Sequence, residues 1–211
     1  MKIATYIGVA SVLLAMSTLA FVSNAAEVAD LRSKLHQIDT LHASFEQQVF
    51  DERGELQEEL EGDLILKRPH FLRWETTFPD ESIMVADGEA VWYLNAFVEQ
   101  LSIFDQAQNL EQNPMLVLLS DDDAAWNEFT IERDGEFWVI REEETGYSQV
   151  SLAIAFDADD AIQTMRIDDG QGQISVFALS NTELNRGADA HEFEIDVPEG
   201  VEIDDQRGQS F

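Results

Sequence analysis

The sequence predicts a mainly β protein in which one large antiparallel sheet curls around a helix packed on its concave face. Apolar and polar residues alternate with a period of two through most of the chain after residue 40, as in half-buried strands. Asp-Gly pairs and a Gly-Gln-Gly triplet separate several of these segments, as turns do. The 211 residues contain no linker, repeat or low-complexity tract, so we predict one folded domain.

The N-terminal segment has the pattern of a secretory signal peptide. Lys2 precedes an apolar stretch from Ile7 to Val22, which is shorter than the ~20 apolar residues of a membrane-spanning helix. Ser23-Asn24-Ala25 then supplies small residues where a signal peptidase recognises its substrate. We therefore predict cleavage between a signal peptide of residues 1–25 and a mature domain of residues 26–211. A retained membrane anchor is the alternative.

One amphipathic helix follows the predicted cleavage site. Its apolar residues recur at spacings of three and four and form a single stripe: Val28, Leu31, Leu35 and Ile38. Its other face is polar and carries Asp30, Arg32, Lys34 and Gln37. A helix with one apolar stripe packs that stripe on the sheet, so we expect it to act as a lid over the core.

The strands begin where the period changes from about 3.6 to two. The first two are 41–49 and 60–66, whose alternating apolar residues include Phe45, Leu64 and Leu66. The further candidates are 71–77, 82–86, 90–94, 98–104, 128–133, 136–142, 149–156, 161–168, 173–180 and 191–197. We predict a sheet of about ten or eleven antiparallel strands, which tends to curl rather than stay flat.

A short helix is predicted within this β pattern. Asn113-Pro114 reads as an N-cap followed by proline at the first helical position. Met115 to Leu119, which includes Leu118, is almost wholly apolar. A short apolar helix in a β protein is expected to lie buried against the sheet.

Charge and composition exclude several classes of protein. The 43 acidic residues face 12 Lys and Arg, so the net charge is −31. Nucleic acids and anionic membrane surfaces attract basic proteins and repel such a chain. We also expect a monomer, because copies with like charge repel each other. The absence of Cys excludes disulfides, thiolate catalysis and a cysteine-linked lipid anchor.

No catalytic or metal-binding motif is present, so we predict neither an enzyme nor a bound metal or cofactor. The sequence lacks G-x-S-x-G, a phosphate loop and H-E-x-x-H. Its histidines do not pair at metal-ligand spacing: His36, His42, His70 and His191. Carboxylate pairs suited to glycoside chemistry carry no signal among so many acids.

Arg68 is the one cation that strand parity directs into the apolar interior. It follows Leu64 and Leu66 at the same parity and ends the predicted strand with Lys67-Arg68-Pro69. A buried guanidinium needs hydrogen-bond partners, and its planar fork can engage several carbonyls at once. The alternative is a bulge that turns Arg68 outward.

Ten short segments together resemble the LolA family, the periplasmic lipoprotein carriers of Gram-negative bacteria. They occur in family order over essentially the whole predicted mature chain. The segments are His42-Ala43-Ser44-Phe45, Gly62-Asp63-Leu64, Lys67-Arg68-Pro69, Arg73-Trp74, Pro79-Asp80-Glu81-Ser82-Ile83, Asp87-Gly88, Trp92-Tyr93, Phe97-Val98-Glu99-Gln100, Pro198-Glu199-Gly200-Val201 and Asp204-Asp205-Gln206-Arg207.

The resemblance implies an incomplete, half-open antiparallel β-barrel under an α-helical lid, with a hydrophobic cavity for acyl chains. It implies a periplasmic chaperone that receives lipoproteins from an inner-membrane ABC transporter and delivers them to an outer-membrane receptor. Arg68 would hydrogen-bond the lid, and Leu31 and Leu35 would belong to that lid. The candidates for the acyl-binding cavity are Phe45, Leu64, Leu66, Phe71, Leu72, Trp74, Met84, Trp92, Met115 and Leu118.

Three other functions remain open at this point. The receptor of the same system shares the fold but is anchored through an N-terminal Cys, which this chain lacks. Another periplasmic lipid or glycolipid binder on the same fold is the main alternative. A carboxylate-dependent hydrolase is the third. For the aromatic candidates, ordinary core packing is the alternative to a role in binding.

Overall fold

The computed structural model describes residues 19–106, 126, 129–142 and 150–208. One α-helix, α1 (Leu19–Leu35), precedes the strands, and a short 3-10 helix spans Ala190–Phe193. The strands are β1 (Thr40–Phe50), β2 (Leu56–Lys67), β3 (Phe71–Phe78), β4 (Ser82–Asp87), β5 (Ala90–Asn95), β6 (Gln100–Asp105), β7 (Phe129–Asp134), β8 (Phe137–Glu142), β9 (Ser151–Phe156), β10 (Ile162–Asp168), β11 (Ile174–Leu184) and β12 (Glu202–Asp205). No helix within these ranges is both long and apolar enough to cross a membrane.

All twelve strands belong to one open sheet. Their order is β12-β6-β5-β4-β3-β2-β1-β11-β10-β9-β8-β7, so β12 and β7 form its two edges. Neighbouring strands are antiparallel except β12, which runs parallel to β6. The predicted fold class, a mainly β protein with an unclosed sheet and a helix, is confirmed. The sheet has one or two strands more than we predicted.

The two faces of the sheet are covered by different parts of the chain. We call the side that contacts α1 the helix face and the opposite side the outer face. The helix face carries the main core, which extends from Val91 in β5 to Ile131 in β7 and includes Leu31 of α1. On the outer face, Leu94 and Leu101 form a smaller cluster with Ile195 and Val201 of the C-terminal segment.

The C-terminal segment between β11 and β12 crosses the outer face. Lys67 Nζ donates to the carbonyl of Ala188 at 2.8 Å, and Arg73 Nη1 donates to the carbonyl of Glu194 at 3.1 Å. Phe193 is buried and lies 5.3 Å from Phe71, measured between ring centroids. This path carries the chain from the middle of the sheet to its β12 edge.

Two sequence predictions differ from the structure in this region. The candidate strand 191–197 is wrong, because Phe193 and Ile195 pack down onto the outer face instead of pairing within the sheet. A capping box of Asp189 and Glu192 starts the 3-10 helix there. Strand β12 was not predicted, since its one apolar residue, Ile203, gives no alternation. The predicted helix 115–119 lies outside the described residues.

Candidate functional site

The apolar stripe of α1 covers the helix face of the sheet. Leu31 is fully buried, and Leu35 and Ile38 are each 3% exposed. Val28 is partly buried and packs against the same cluster. The predicted amphipathic helix is therefore confirmed, and its stripe forms one apolar cluster with strand residues from both halves of the sheet.

Three aromatic rings form the centre of the helix face. The Phe45 ring lies 4.4 Å from Trp74 and 6.3 Å from Phe177, and Trp74 meets Phe177 edge-on at 5.2 Å. Strands β1, β3 and β11 supply these rings, with β2 between β1 and β3. Gly62 of β2 leaves space for them, because a Cβ there would lie 2.6 Å from Cζ of Phe45.

Lys34 connects α1 to strands β8 and β9 of the sheet. Its ammonium lies 5.7 Å from the ring centroid of Trp138 and 5.6 Å from that of Phe156, close enough for cation–π attraction. The same ammonium pairs with the carboxylate of Asp160 in the turn after β9. The sequence placed Lys34 on the solvent side of the helix, whereas the structure gives it two aromatic partners in strands β8 and β9 and a carboxylate in the turn after β9.

Eight of the predicted gating and cavity residues come together on the helix face. The lid residues Leu31 and Leu35 are buried there. Of the cavity candidates, the structure buries Phe45, Leu64, Leu66 and Leu72 in the same cluster and packs Trp74 and Met84 against it. Their strand register agrees with this arrangement, since Leu66, Leu72 and Ala86 are directly paired across β2, β3 and β4.

Phe71 and Trp92 lie on the outer face, so the prediction that they share this cavity is corrected. Phe71 follows the opposite parity to Leu72 and packs on Phe193. Trp92 pairs with Ile103 on the outer face, beneath the C-terminal segment. The two aromatic side chains border a separate groove of about 540 Å³. Met115 and Leu118 lie outside the described residues.

Arg68 lies at the junction between the sheet and the end of the helix. It follows β2 directly and is half-buried. Its backbone N–H donates to the carbonyl of Asp39 at 2.9 Å, which ties the β2–β3 turn to the connection between α1 and β1. The position suits contact with a helical lid, and the hydrogen bonds of its side chain to that lid stay a prediction.

Asp87 organises the neighbouring β4–β5 turn. Its Oδ1 accepts from the backbone N–H groups of Glu89 and Ala90, each at 2.8 Å, and Oδ2 accepts from Trp92 Nε1 at 2.7 Å. Burial would by itself raise the pKa of Asp87. These three hydrogen bonds to the charged form outweigh burial and lower its pKa below the usual 3.8.

Asp87→Asn is expected to reduce the free energy of unfolding by about 1–2 kcal/mol near neutral pH. The asparagine side chain has one acceptor oxygen, so its NH₂ group must face either the indole N–H of Trp92 or the backbone N–H groups of the turn. A lowered folded-state pKa stabilises the fold above the unfolded-state pKa, and this contribution disappears as pH falls through the folded-state pKa. The difference between wild type and variant should therefore shrink below about pH 4 in urea titrations. Glu89→Gln, an exposed neutral substitution in the same turn, is the control. A difference that stays constant down to pH 2 would contradict this account.

The described residues contain no group of three His, Asp or Glu side chains placed to hold a metal ion. His42 is buried, with Nε2 at 2.9 Å from the carbonyl of Gly187, and Arg186 Nη2 donates to its Nδ1 at 2.7 Å. These bonds fix the loop after β11 against β1. The arrangement is structural, and the apolar helix face is the strongest candidate for a binding site.

Comparison with known proteins decides the family. The family model described as "Outer membrane lipoprotein carrier protein LolA" matches residues 36–196, which is most of the chain. The chain belongs to the LolA family.

Several relatives carry the name outer-membrane lipoprotein carrier protein. The outer-membrane lipoprotein carrier protein of Idiomarina loihiensis is 39% identical over 177 residues, covering 83% of this chain and 86% of the relative. That of Shewanella loihica is 37% identical over 185 residues, covering 88% of each chain. The crystal structure of an uncharacterized conserved protein from Thermus thermophilus superposes with a TM-score of 0.50 at 15% identity, covering 86% of this chain and 98% of that one. This last similarity concerns the fold alone.

Part of the candidate site in this LolA-family chain was not predicted from the sequence. Trp138, Phe156 and Phe177 contribute three of the aromatic rings of the helix face, and none was among the predicted site residues. The alternation of their strands was visible, with Leu152 and Ile154 preceding Phe156 at the same parity. The motifs that carry the resemblance lie mainly before residue 101, whereas these three rings lie in later strands.

Proposed function

We propose that this chain is a periplasmic carrier that shelters the acyl chains of lipoproteins between α1 and the helix face of the sheet. Membership of the LolA family supports the carrier function. The observation that supports this position for the binding site is the apolar stripe of α1, in which Leu31 and Leu35 are almost completely buried against the sheet. Displacing this one helix would uncover a broad apolar face.

The energy of acyl burial explains why a covered site suits a carrier. Transferring one acyl chain of ~15 methylenes out of water is worth on the order of 12 kcal/mol, which would make release very slow from a permanently open pocket. When the acyl chain must displace α1 from Phe45, Trp74 and their neighbours, the free energy needed to open the site reduces the net free energy of binding. The empty, closed state then competes with the loaded state.

The route of the cargo is part of this proposal. The carrier would receive triacylated lipoproteins from an inner-membrane ABC transporter and deliver them to an outer-membrane receptor. It would act as a monomer without enzymatic activity or a cofactor. It would be exported to the periplasm by a signal peptide that is cleaved after residue 25, which leaves residues 26–35 of α1 in the mature chain. The N-terminal mass of the secreted chain tests the last point, because it should correspond to a chain that begins at Ala26.

Arg68→Leu is expected to accept lipoprotein normally and to release it poorly, so that loaded carrier accumulates. Arg68 is half-buried, and its backbone is bonded to the segment that follows α1; the polarity of its guanidinium would oppose an interior filled with acyl chains. The measurement is transfer of labelled lipoprotein from the purified complex to receptor-bearing outer membranes. Arg53→Leu, which removes an exposed arginine from the β1–β2 turn, is the control. Transfer by Arg68→Leu at the wild-type rate would exclude this role.

Release from spheroplasts tests the carrier function itself. The purified secreted chain is mixed with spheroplasts that carry a newly synthesised outer-membrane lipoprotein, and the supernatant is examined for a one-to-one complex. Release of the triacylated form, without release of a version that lacks the acylated cysteine, supports the proposal. If a known carrier releases the lipoprotein and this chain does not, another lipid or glycolipid becomes the expected ligand.

A further inference from the structure

Two neighbouring turns expose large apolar side chains at one end of the sheet. Phe78 at the end of β3 is 55% exposed, and Phe97 and Val98 in the β5–β6 turn are 75% and 57% exposed. We call these three residues the turn patch. The turns are joined by a hydrogen bond from the N–H of Ala96 to the carbonyl of Glu81 at 3.1 Å.

Hydrogen bonds hold the β5–β6 turn, which carries Phe97 and Val98 of this patch, in one conformation. Asn95 Oδ1 accepts from the N–H groups of Phe97 and Val98 at 3.0 and 3.3 Å. Glu99 adopts a left-handed φ of 53°, which is uncommon for a residue other than glycine. Its carbonyl accepts from the N–H of Glu202 at 2.9 Å, which ties the turn to β12. A turn fixed on both sides presents its apolar side chains with little conformational entropy left to lose on binding.

The charges around the patch define the chemistry of a partner. Asp80, Glu81 and Glu99 are exposed in the same two turns. Between Arg73 and Arg133 the sequence contains no Lys or Arg. An anionic lipid surface is therefore repelled, whereas a protein pocket bordered by Lys and Arg is attracted and oriented.

The turn patch lies at the opposite end of the sheet from Arg68. Strand β3 begins next to the Arg68 turn and ends at Phe78, so the two ends are roughly 25 Å apart along an eight-residue strand. The pairing of Ser82 with Asn95 places the β5–β6 turn at the Phe78 end. A contact here leaves the end near Arg68 and the last turn of α1 free.

We propose that the turn patch docks into an apolar pocket, bordered by basic residues, on the membrane complex that supplies the cargo. This inference rests on the proposed carrier function. Recruitment of an empty carrier is the step in which no acyl chain contributes to the contact, so protein surfaces must supply all of the affinity. A rigid apolar projection with an acidic border, far from the Arg68 end, meets that requirement.

The test measures the affinity of the empty, secreted chain for the purified lipoprotein-releasing transporter in nanodiscs. The double variant Phe97→Ser, Val98→Ser should bind at least ten-fold more weakly, and Glu99→Lys should weaken binding and reduce its dependence on NaCl concentration. Val197→Ser removes an apolar side chain of 43% exposure elsewhere and should leave the affinity unchanged. Because all these side chains are exposed, the variants should keep the wild-type unfolding temperature.

Three results would contradict this docking site. The first is an unchanged affinity of the double variant for the transporter. The second is a double variant that binds the receptor more weakly but the transporter normally, and the third is binding of the wild-type chain to protein-free anionic vesicles through these residues. The carrier function fails separately, if the wild-type chain releases no lipoprotein from spheroplasts. The double variant should still hold a lipoprotein that is transferred to it from detergent, because the acyl site lies beneath α1.

Discussion

Replacing Gly62 with alanine is expected to lower the free energy of unfolding by about 3 kcal/mol, the upper part of the range for overpacking a well-packed core. A Cβ at this position would lie 2.0 Å from the carbonyl oxygen of Glu75 and 2.6 Å from Cζ of Phe45. The first contact is with backbone, so no side-chain rotation relieves it. Strands β2 and β3 would have to separate where their register already shifts, between Glu61 and Gly62.

The matched control for this substitution is Gly54→Ala. A Cβ at Gly54 has no neighbour within 4 Å, and its φ of 74° makes left-handed strain the one penalty, at about 1 kcal/mol. Chemical denaturation of both variants measures the difference. If Gly62→Ala costs no more than Gly54→Ala, the close packing of the Phe45 ring over β2 is not a determinant of stability. Gly62→Ala should also reduce cargo binding, since it displaces the Phe45 ring at the centre of the helix face.

Leu35→Glu is expected to detach α1 and to increase the fluorescence of a hydrophobic dye several-fold. Leu35 is 3% exposed within the apolar cluster, and removing such a leucine side chain alone costs about 2–5 kcal/mol. A carboxylate without a partner adds to this cost unless the helix moves into water. The sheet keeps its own hydrogen bonds, so strand content by circular dichroism should remain while the helix face becomes accessible.

Ser33→Glu is the control for that experiment, because it adds the same charge to the exposed side of α1. It should bind no more dye than wild type. Equal dye fluorescence of Leu35→Glu and wild type would show that α1 does not cover an apolar surface. Complete loss of strand signal would instead show that the helix is an inseparable part of the fold.

The sequence predicted the elements whose residues obey one period and one buried side. The stripe of α1 is such a case, because Leu31 and Leu35 face a single apolar surface. Prediction from the sequence failed where both sides of a strand are covered. In β3 and β5, Phe71 and Trp92 are as apolar as their neighbours, since the C-terminal segment buries the outer face as well. Period-two alternation places Phe71 and Leu72 on opposite faces, but because both residues are apolar it does not tell which of them faces α1.

Long-range contacts set the other limit. Lys34 looks like an ordinary solvated lysine in a helix, and the rings of Trp138 and Phe156 that receive it are more than 100 residues away. The reverse holds for residues 191–197, where alternation was genuine but served to cover a sheet instead of extending it. Periodicity reports which residues are buried, and the partner that buries them is decided by the tertiary structure.

The pairing of β1 with β11 has a consequence for when this chain can fold. Gln47 in β1 bonds to Ser175 in β11, 128 positions later, and the two halves of the sheet meet at this seam. Contacts between such distant segments form slowly, because a long loop must close first. The central strand has no second neighbour until nearly the whole chain has been synthesised. A polypeptide that assembles this late stays unfolded until its synthesis is nearly complete, which is the state that the proposed export would require.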